Sequence, residues 1–314
     1  MANKALPFAL DGQRLSHRYK CLLGSASVKI LLVHGRNLVG KDPEQLQVQW
    51  LAAIQRGCSA AGIGAPPDEA YAMPFYGDRF ETLLEGVDAP LAEEIAVRDP
   101  DTIDPRYLEF RRDFFEEIRS GAGITDLQIS SELELLGAEG APNRVQCAQA
   151  ALQALDKYMP RLTDGALDGY ARDVWAYLAT PHIRNEIDRL VGTGMGAEPT
   201  LLVGHSLGSL IAYSILRRVH SCVAPRLVTL GSPLGLATVR NHFRPLNFPD
   251  GVRHWFNGYD QRDLVALRGL GTEVFPVQPP VHNEKDLVNQ TRNFHGAEGY
   301  LETPAVARAL VELD

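Results

Sequence analysis

The sequence predicts an α/β fold, with a mostly parallel central sheet, helices on both faces and one helical insertion. Three observations carry that prediction. The runs Val28-Lys29-Ile30-Leu31-Leu32-Val33 and Leu201-Leu202-Val203 are short and almost wholly apolar, as strands buried on both faces are. Helical spacings separate such runs. Between residues 85 and 165 the apolar positions keep helical spacing and no strand pattern occurs.

The elements follow in order. Asp11-Gly12, between short apolar stretches, predicts a hairpin turn. After the strand ending at Val33 come His34-Gly35-Arg36-Asn37 and then a helix, with Asp42 as N-cap and Pro43 at the first helical position. Leu46, Trp50, Ile54 and Ala61 form its apolar stripe, and Gly62 and Gly64 punctuate its end. Ala70 to Met73 reads as the next strand, which completes a strand–helix–strand unit and so a parallel pair.

In the insertion, Tyr107, Phe110, Phe114 and Ile118 recur at helical spacing, as do Val145, Ala148, Leu152, Leu155 and Met159. These stripes read as core, with the lining of a pocket as the sharper alternative. The segment is expected to form a cap or flank beside a site. Asp173 to Leu190 reads as two helical pieces, the second restarted by Thr180-Pro181. A strand over Thr200–Val203 and a helix over Leu210–Val219 follow. Further strands are expected over Arg226–Leu230, Val252–Phe256 and Glu273–Val277, then a terminal helix opened by Thr303-Pro304. The sum is about six core strands in a single domain over 1–314.

With 314 residues, 45% of them hydrophobic, the chain is long enough to bury a large core. Its net charge of −8 argues against nucleic acid as a partner, because phosphate binding needs a basic surface. It argues equally against a polybasic grip on anionic lipid. Cys21, Cys58, Cys147 and Cys222 lie far apart with no C-x-x-C pair, and read as reduced core residues. No secretory h-region and no apolar run of membrane-spanning length is visible, so a soluble cytoplasmic protein is the expectation.

The strongest chemical signal is Gly204-His205-Ser206-Leu207-Gly208, a G-x-S-x-G pentapeptide between a predicted strand and a predicted helix. A serine on so sharp a turn needs small neighbours at −2 and +2, and Gly204 and Gly208 supply them. The turn lifts the hydroxyl to the carboxyl edge of the sheet and aims a helix N-terminus at a developing oxyanion.

On these residues the chain resembles the α/β-hydrolase family, in particular its lipase- and esterase-like members. The resemblance extends to His34-Gly35 after the first strand, similar to the family's oxyanion loop, and to Leu230-Gly231-Ser232-Pro233, similar to a lipase-type strand end. It covers most of the chain apart from residues 85–165. It implies a Ser–acid–His order along the chain. His295, in Asn293-Phe294-His295-Gly296 shortly before Tyr300, matches the base better than His282 in its Pro-Pro-Val-His stretch. His182, His220, His242 and His254 are expected to have no catalytic role. Asp263, ahead of Leu264-Val265, resembles the acid, and Asp260 stands as the alternative. The resemblance further implies an oxyanion hole from the backbone N–H groups of Leu207 and Arg36.

The implied activity is hydrolysis of carboxylic esters, lipid-like ones included, through an acyl-enzyme on Ser206. An acyltransferase or thioesterase would use the same three residues, and a non-catalytic hydrolase-like binding protein is the reading from another class. No His/Asp/Glu cluster has metal-ligand spacing, so neither metal nor other cofactor is expected. Tyr76-Gly77-Asp78 is expected either to line the pocket or to cap a helix, and Ser232 to be structural.

Overall fold

The computed structural model describes residues 29–36, 38, 40–138, 140–160, 166–195, 200–218 and 224–312. The expected hairpin at Asp11-Gly12, the cysteines Cys21 and Cys222, His220, and the ends of two predicted elements at Val28 and Val219 lie outside these residues.

Among the described residues six strands form one sheet: β1 (Lys29–Val33), β2 (Tyr71–Ala72), β3 (Thr200–His205), β4 (Arg226–Leu230), β5 (His254–Gly258) and β6 (His282–Glu284). Their order is β2-β1-β3-β4-β5-β6, and every neighbouring pair is parallel. The register sets Val33 beside Gly204, His205 beside Leu230 and Leu230 beside Gly258. The carboxyl ends of β1, β3, β4 and β5 therefore finish along one edge.

Side chains alternate across a strand, and here the alternation splits the core in two. Leu31, Val33, Leu202 and Leu227 face one apolar cluster, while Ile30, Leu32, Leu201, Val203, Val228 and Leu230 face the other. The second cluster is closed by α1 (Pro43–Ala61), through Leu46, Trp50 and Ile54. The Asp42 carboxylate caps that helix, accepting from the N–H groups of Glu44 and Gln45 at 2.9 and 3.3 Å.

The first cluster is closed by α2 (Gly77–Leu84), which follows β2, and by the helices of the expected insertion. These are α3 (Ala92–Ile95), α4 (Pro105–Gly121), α5 (Asp126–Leu135) and α6 (Arg144–Tyr158). Asn143 and Thr125 open α6 and α5 with reciprocal capping boxes. Beyond them α7 (Leu167–Ala179) and α8 (Pro181–Gly192) meet at Thr180-Pro181, where Thr180 holds the cap position without a side-chain cap bond. Then α9 (Leu207–Arg218) follows β3 directly, three residues earlier than its apolar pattern begins. After β4 comes the short α10 (Ala237–Arg240). Two last helices, α11 (Ala297–Leu301) and α12 (Pro304–Val311), return to the second cluster beside α1.

The strand expected over Glu273–Val277 does not form. Val274 and Phe275 both donate to the Gly271 carbonyl, so turns take up the backbone groups that a strand would offer a neighbour. Phe275 and Val277 are buried for another reason: Phe275 packs on Trp255 and Tyr213, at ring-centroid distances of 5.4 and 5.6 Å. The sixth strand is instead His282–Glu284. Being an edge strand whose residues stay exposed or half-buried, it has none of the apolar run that marks β1 and β3. His282, the weaker candidate for the base, thus begins β6 and remains exposed. Among the described residues no helix is long and apolar enough to cross a membrane.

Candidate active site

The strand order reverses between β1 and β3, since β2 lies outside β1 and the later strands run the other way. At such a point the loops leaving two carboxyl ends part and open a crevice. His34-Gly35-Arg36 leaves β1 here and Ser206 leaves β3. A cavity of about 260 Å³ occupies the crevice, with Gly35, Arg36, Tyr170, Ser206 and His295 among its walls.

Ser206 is 1% exposed and has φ +56°, in the left-handed region that a non-glycine residue seldom adopts. The surrounding chain enforces the turn. The Ser206 N–H donates to the Leu230 carbonyl at 3.0 Å, while its own carbonyl accepts from the Ser209 N–H at 2.9 Å and the Ser209 hydroxyl at 2.5 Å. There is no room for side chains at the flanking glycines. A Cβ on Gly204 would lie 2.6 Å from the Gly208 carbonyl oxygen, and one on Gly208 would overlap the Val33 carbonyl.

The hydroxyl of Ser206 donates to His295 Nε2 at 2.9 Å, and His295 Nδ1 donates to Asp263 Oδ2 at 2.7 Å. The structure thus brings together three residues drawn from the ends of β3 and β5 and from the loop before α11. Asp263, 1% exposed, accepts two further bonds, from the Tyr300 hydroxyl at 2.6 Å and from the Val265 N–H at 3.1 Å. The Asp263 N–H donates to the Asp260 carbonyl, and that turn directs the two aspartates apart.

Asp260 does not reach His295. Its carboxylate holds Arg262 at 2.6 and 2.9 Å and accepts from the Asn289 N–H at 2.8 Å. Burial alone would raise its pKa, but the Arg262 guanidinium and the N–H donors outweigh burial and leave it below the usual carboxylate value. The pair packs instead against the loop that carries the histidine. Arg262 lies 3.9 Å over the ring of Phe294, the residue before His295, and Asn289 donates to the Gly296 carbonyl at 2.8 Å.

Two further histidines hold the loops. His34 is fully buried, and its Nε2 accepts from the Tyr76 N–H at 3.1 Å. The proton therefore sits on Nδ1, which donates to the Gly35 carbonyl at 2.8 Å. The Tyr76 hydroxyl donates to the His34 carbonyl and lies 3.2 Å from that of Gly35. Tyr76 thus neither caps a helix with its side chain nor lines the cavity; it braces the loop from behind, while Asp78 accepts from the Gly40 N–H. On the other side His205 Nε2 donates to the His295 carbonyl at 2.6 Å. Burial holds the pKa of His34 down at about 4, partly offset by its bond to Gly35. Burial, reinforced by the nearby His295, holds that of His205 at about 3. Both rings are neutral near pH 7.

The N–H groups of Arg36 and Leu207 have no hydrogen-bond partner among the described residues, and that of Leu207 belongs to the first turn of α9. The Arg36 side chain turns to α7, pairing with Asp173 at 2.5 Å. Ser232 is structural, bonding Ser209 and capping the turn at Leu234. Phe110 and Phe114 are buried against each other and against Trp175 and Tyr170, and neither lines the cavity. One wall of the cavity had no sequence signal: Tyr170, whose hydroxyl lies 3.3 Å from Ser206 Oγ. It lies in the first turns of α7, which starts at Leu167, six residues before the helix expected from Asp173. Among the described residues no group of three or more His, Cys, Asp or Glu is placed to hold a metal ion.

Comparison with models of known protein families gives no match, and comparison with curated protein sequences gives none either.

Proposed function

We propose that this chain is a serine hydrolase of the α/β-hydrolase kind, cleaving carboxylic esters through an acyl-enzyme on Ser206. The observation that carries the reading is the chain Ser206–His295–Asp263, joined at 2.9 and 2.7 Å and standing on a strained turn at the crevice. A serine hydroxyl is a weak nucleophile until a base takes its proton. In this reading His295 Nε2 takes that proton as Ser206 Oγ bonds to the ester carbonyl carbon, and the carbonyl electron pair moves onto oxygen. The N–H groups of Leu207 and Arg36 receive the resulting oxyanion. The carbon–oxygen bond to the alcohol then breaks and His295 returns the proton to the departing oxygen. Water repeats the sequence on the acyl-enzyme and releases the acid. Asp263 keeps the Nδ1 proton in place and stabilises the imidazolium.

The cavity supports an ester with an apolar acyl group. Leu38, Leu46, Trp50, Leu167, Leu264 and Val265 contribute to its walls.

Two measurements test the proposal together. A fluorophosphonate probe is expected to add one label per chain, read by intact mass, and Ser206→Ala is expected to remove it. A panel of p-nitrophenyl esters of increasing acyl length is expected to be hydrolysed by the wild type and not by Ser206→Ala. Labelling and turnover that survive in Ser206→Ala would refute the assignment of the nucleophile.

A further inference from the structure

The Tyr170 hydroxyl is buried in the cavity wall, and Ser206 is its hydrogen-bond partner, at 3.3 Å. Ser206 has a single proton, and the short bond to His295 Nε2 claims it. With that proton committed to His295, the 3.3 Å contact leaves the Tyr170 O–H as donor and Ser206 Oγ as acceptor. Burial keeps the phenol protonated, well above its ordinary pKa. A buried donor without an acceptor is costly, so this proton must be satisfied at every stage of the reaction.

Attack changes what it can bond to. Once Oγ is bonded to the tetrahedral carbon it becomes an ether-type oxygen, a poorer acceptor. The oxyanion, on that same carbon, is by far the best acceptor within reach. The loop that bears the Arg36 N–H is tied to the helix that bears Tyr170. The Arg36 guanidinium lies against one face of α7, bonding the Ala166 carbonyl at 3.4 Å and Asp173 at 2.5 Å, on either side of Tyr170 along the helix. Tyr170 is itself fixed between Phe114 and His295, with both ring centroids 6.0 Å away.

We infer that Tyr170 is a catalytic residue, donating from its phenol to the oxyanion as a third donor beside the N–H groups of Arg36 and Leu207. The inference rests on Ser206 being the nucleophile. It makes the oxyanion site part side chain and part backbone, so the stabilisation depends on how strongly a phenol donates.

The test compares four proteins on p-nitrophenyl butyrate: wild type, Tyr170→Phe, Ser206→Ala, and wild type with 3-fluorotyrosine, a more acidic phenol, placed at 170 by site-specific incorporation. Tyr170→Phe keeps the ring and its contacts, so its melting temperature is expected to stay within a few degrees of wild type. Its kcat is expected to fall by about 10²-fold, in the range known for loss of one oxyanion donor, with KM changed less than about threefold. The 3-fluorotyrosine protein is expected to keep at least the wild-type kcat, because its donor is stronger. Tyr170→Phe with wild-type kcat would overturn the inference, as would 3-fluorotyrosine falling with phenylalanine. In either case an inactive Ser206→Ala would show that the serine mechanism itself stands. An active Ser206→Ala would remove both readings at once.

Discussion

Asp263→Asn changes one oxygen for an NH2 in a pocket with three donors, and the outcome can be worked from their positions. Oδ2 accepts from His295 Nδ1 and Tyr300, and Oδ1 from the Val265 N–H. With its oxygen at the Oδ2 position, asparagine keeps both side-chain bonds but sets its NH2 against the Val265 N–H. With the oxygen at Oδ1, the NH2 faces His295 and drives the ring to the tautomer that cannot accept the Ser206 proton. In the first arrangement the main loss is charge: a carboxylate about 4 Å from the centre of a forming imidazolium contributes ~4 kcal/mol at the effective dielectric of a protein site. That is roughly three powers of ten in rate. In the second arrangement the wrong tautomer costs a Ser–His–Asp triad about 10⁴. The expected loss in kcat is therefore between about 10³ and 10⁴, measured by steady-state hydrolysis of a p-nitrophenyl ester. Asp260→Asn loses an ion pair with the half-exposed Arg262, and is expected to cost less than about tenfold in kcat. The reverse order of effects, or Asp263→Asn within tenfold of wild type while Ser206→Ala is inactive, would refute the assignment of the acid.

Two further outcomes follow from burial. His34 and His205 are held near pKa 4 and 3 when folded, against about 6.5 in an unfolded chain, so only the unfolded state takes up protons between those values. Their contribution to stability is complete above pH 6.5 and is lost as pH falls below it. The slope approaches about 1.4 kcal/mol per pH unit for each ring, and urea midpoints that stay level from pH 7 to 5 would contradict it. Phe110→Ala removes a buried ring that stacks on Phe114 and packs at a tilt on Trp175 but does not line the cavity. It is expected to cost about 3–5 kcal/mol in urea unfolding and to leave the ratio of rates on short and long esters unchanged; a shifted ratio would place the ring at the acyl pocket.

Local chemistry was enough for those parts of the molecule whose signals are local. Strands β1 and β3 are covered on both faces, so their apolar runs announce them. Asp42-Pro43 opens α1 because a cap and its N–H partners lie within three residues. The pentapeptide at 204–208 is legible for the same reason, since the steric demand of the turn falls on its own neighbours. Contacts between residues far apart in the chain were not legible. Asp260 and Asp263 are near-equivalent in sequence, and only the turn between them, together with Tyr300 and His295 some 30 residues on, sends one to the histidine and the other to Arg262. Tyr170 lies ahead of the helix expected from Asp173, and its hydroxyl meets Ser206 only because α7 packs over the crevice. Burial at Phe275 mimicked a strand, while β6 is polar and pairs on one side alone. Periodicity reports which side of an element meets apolar surroundings, and so it located the helices and the inner strands. Which polar atoms meet across the crevice depends on how whole elements pack, and that was decided only by the tertiary structure.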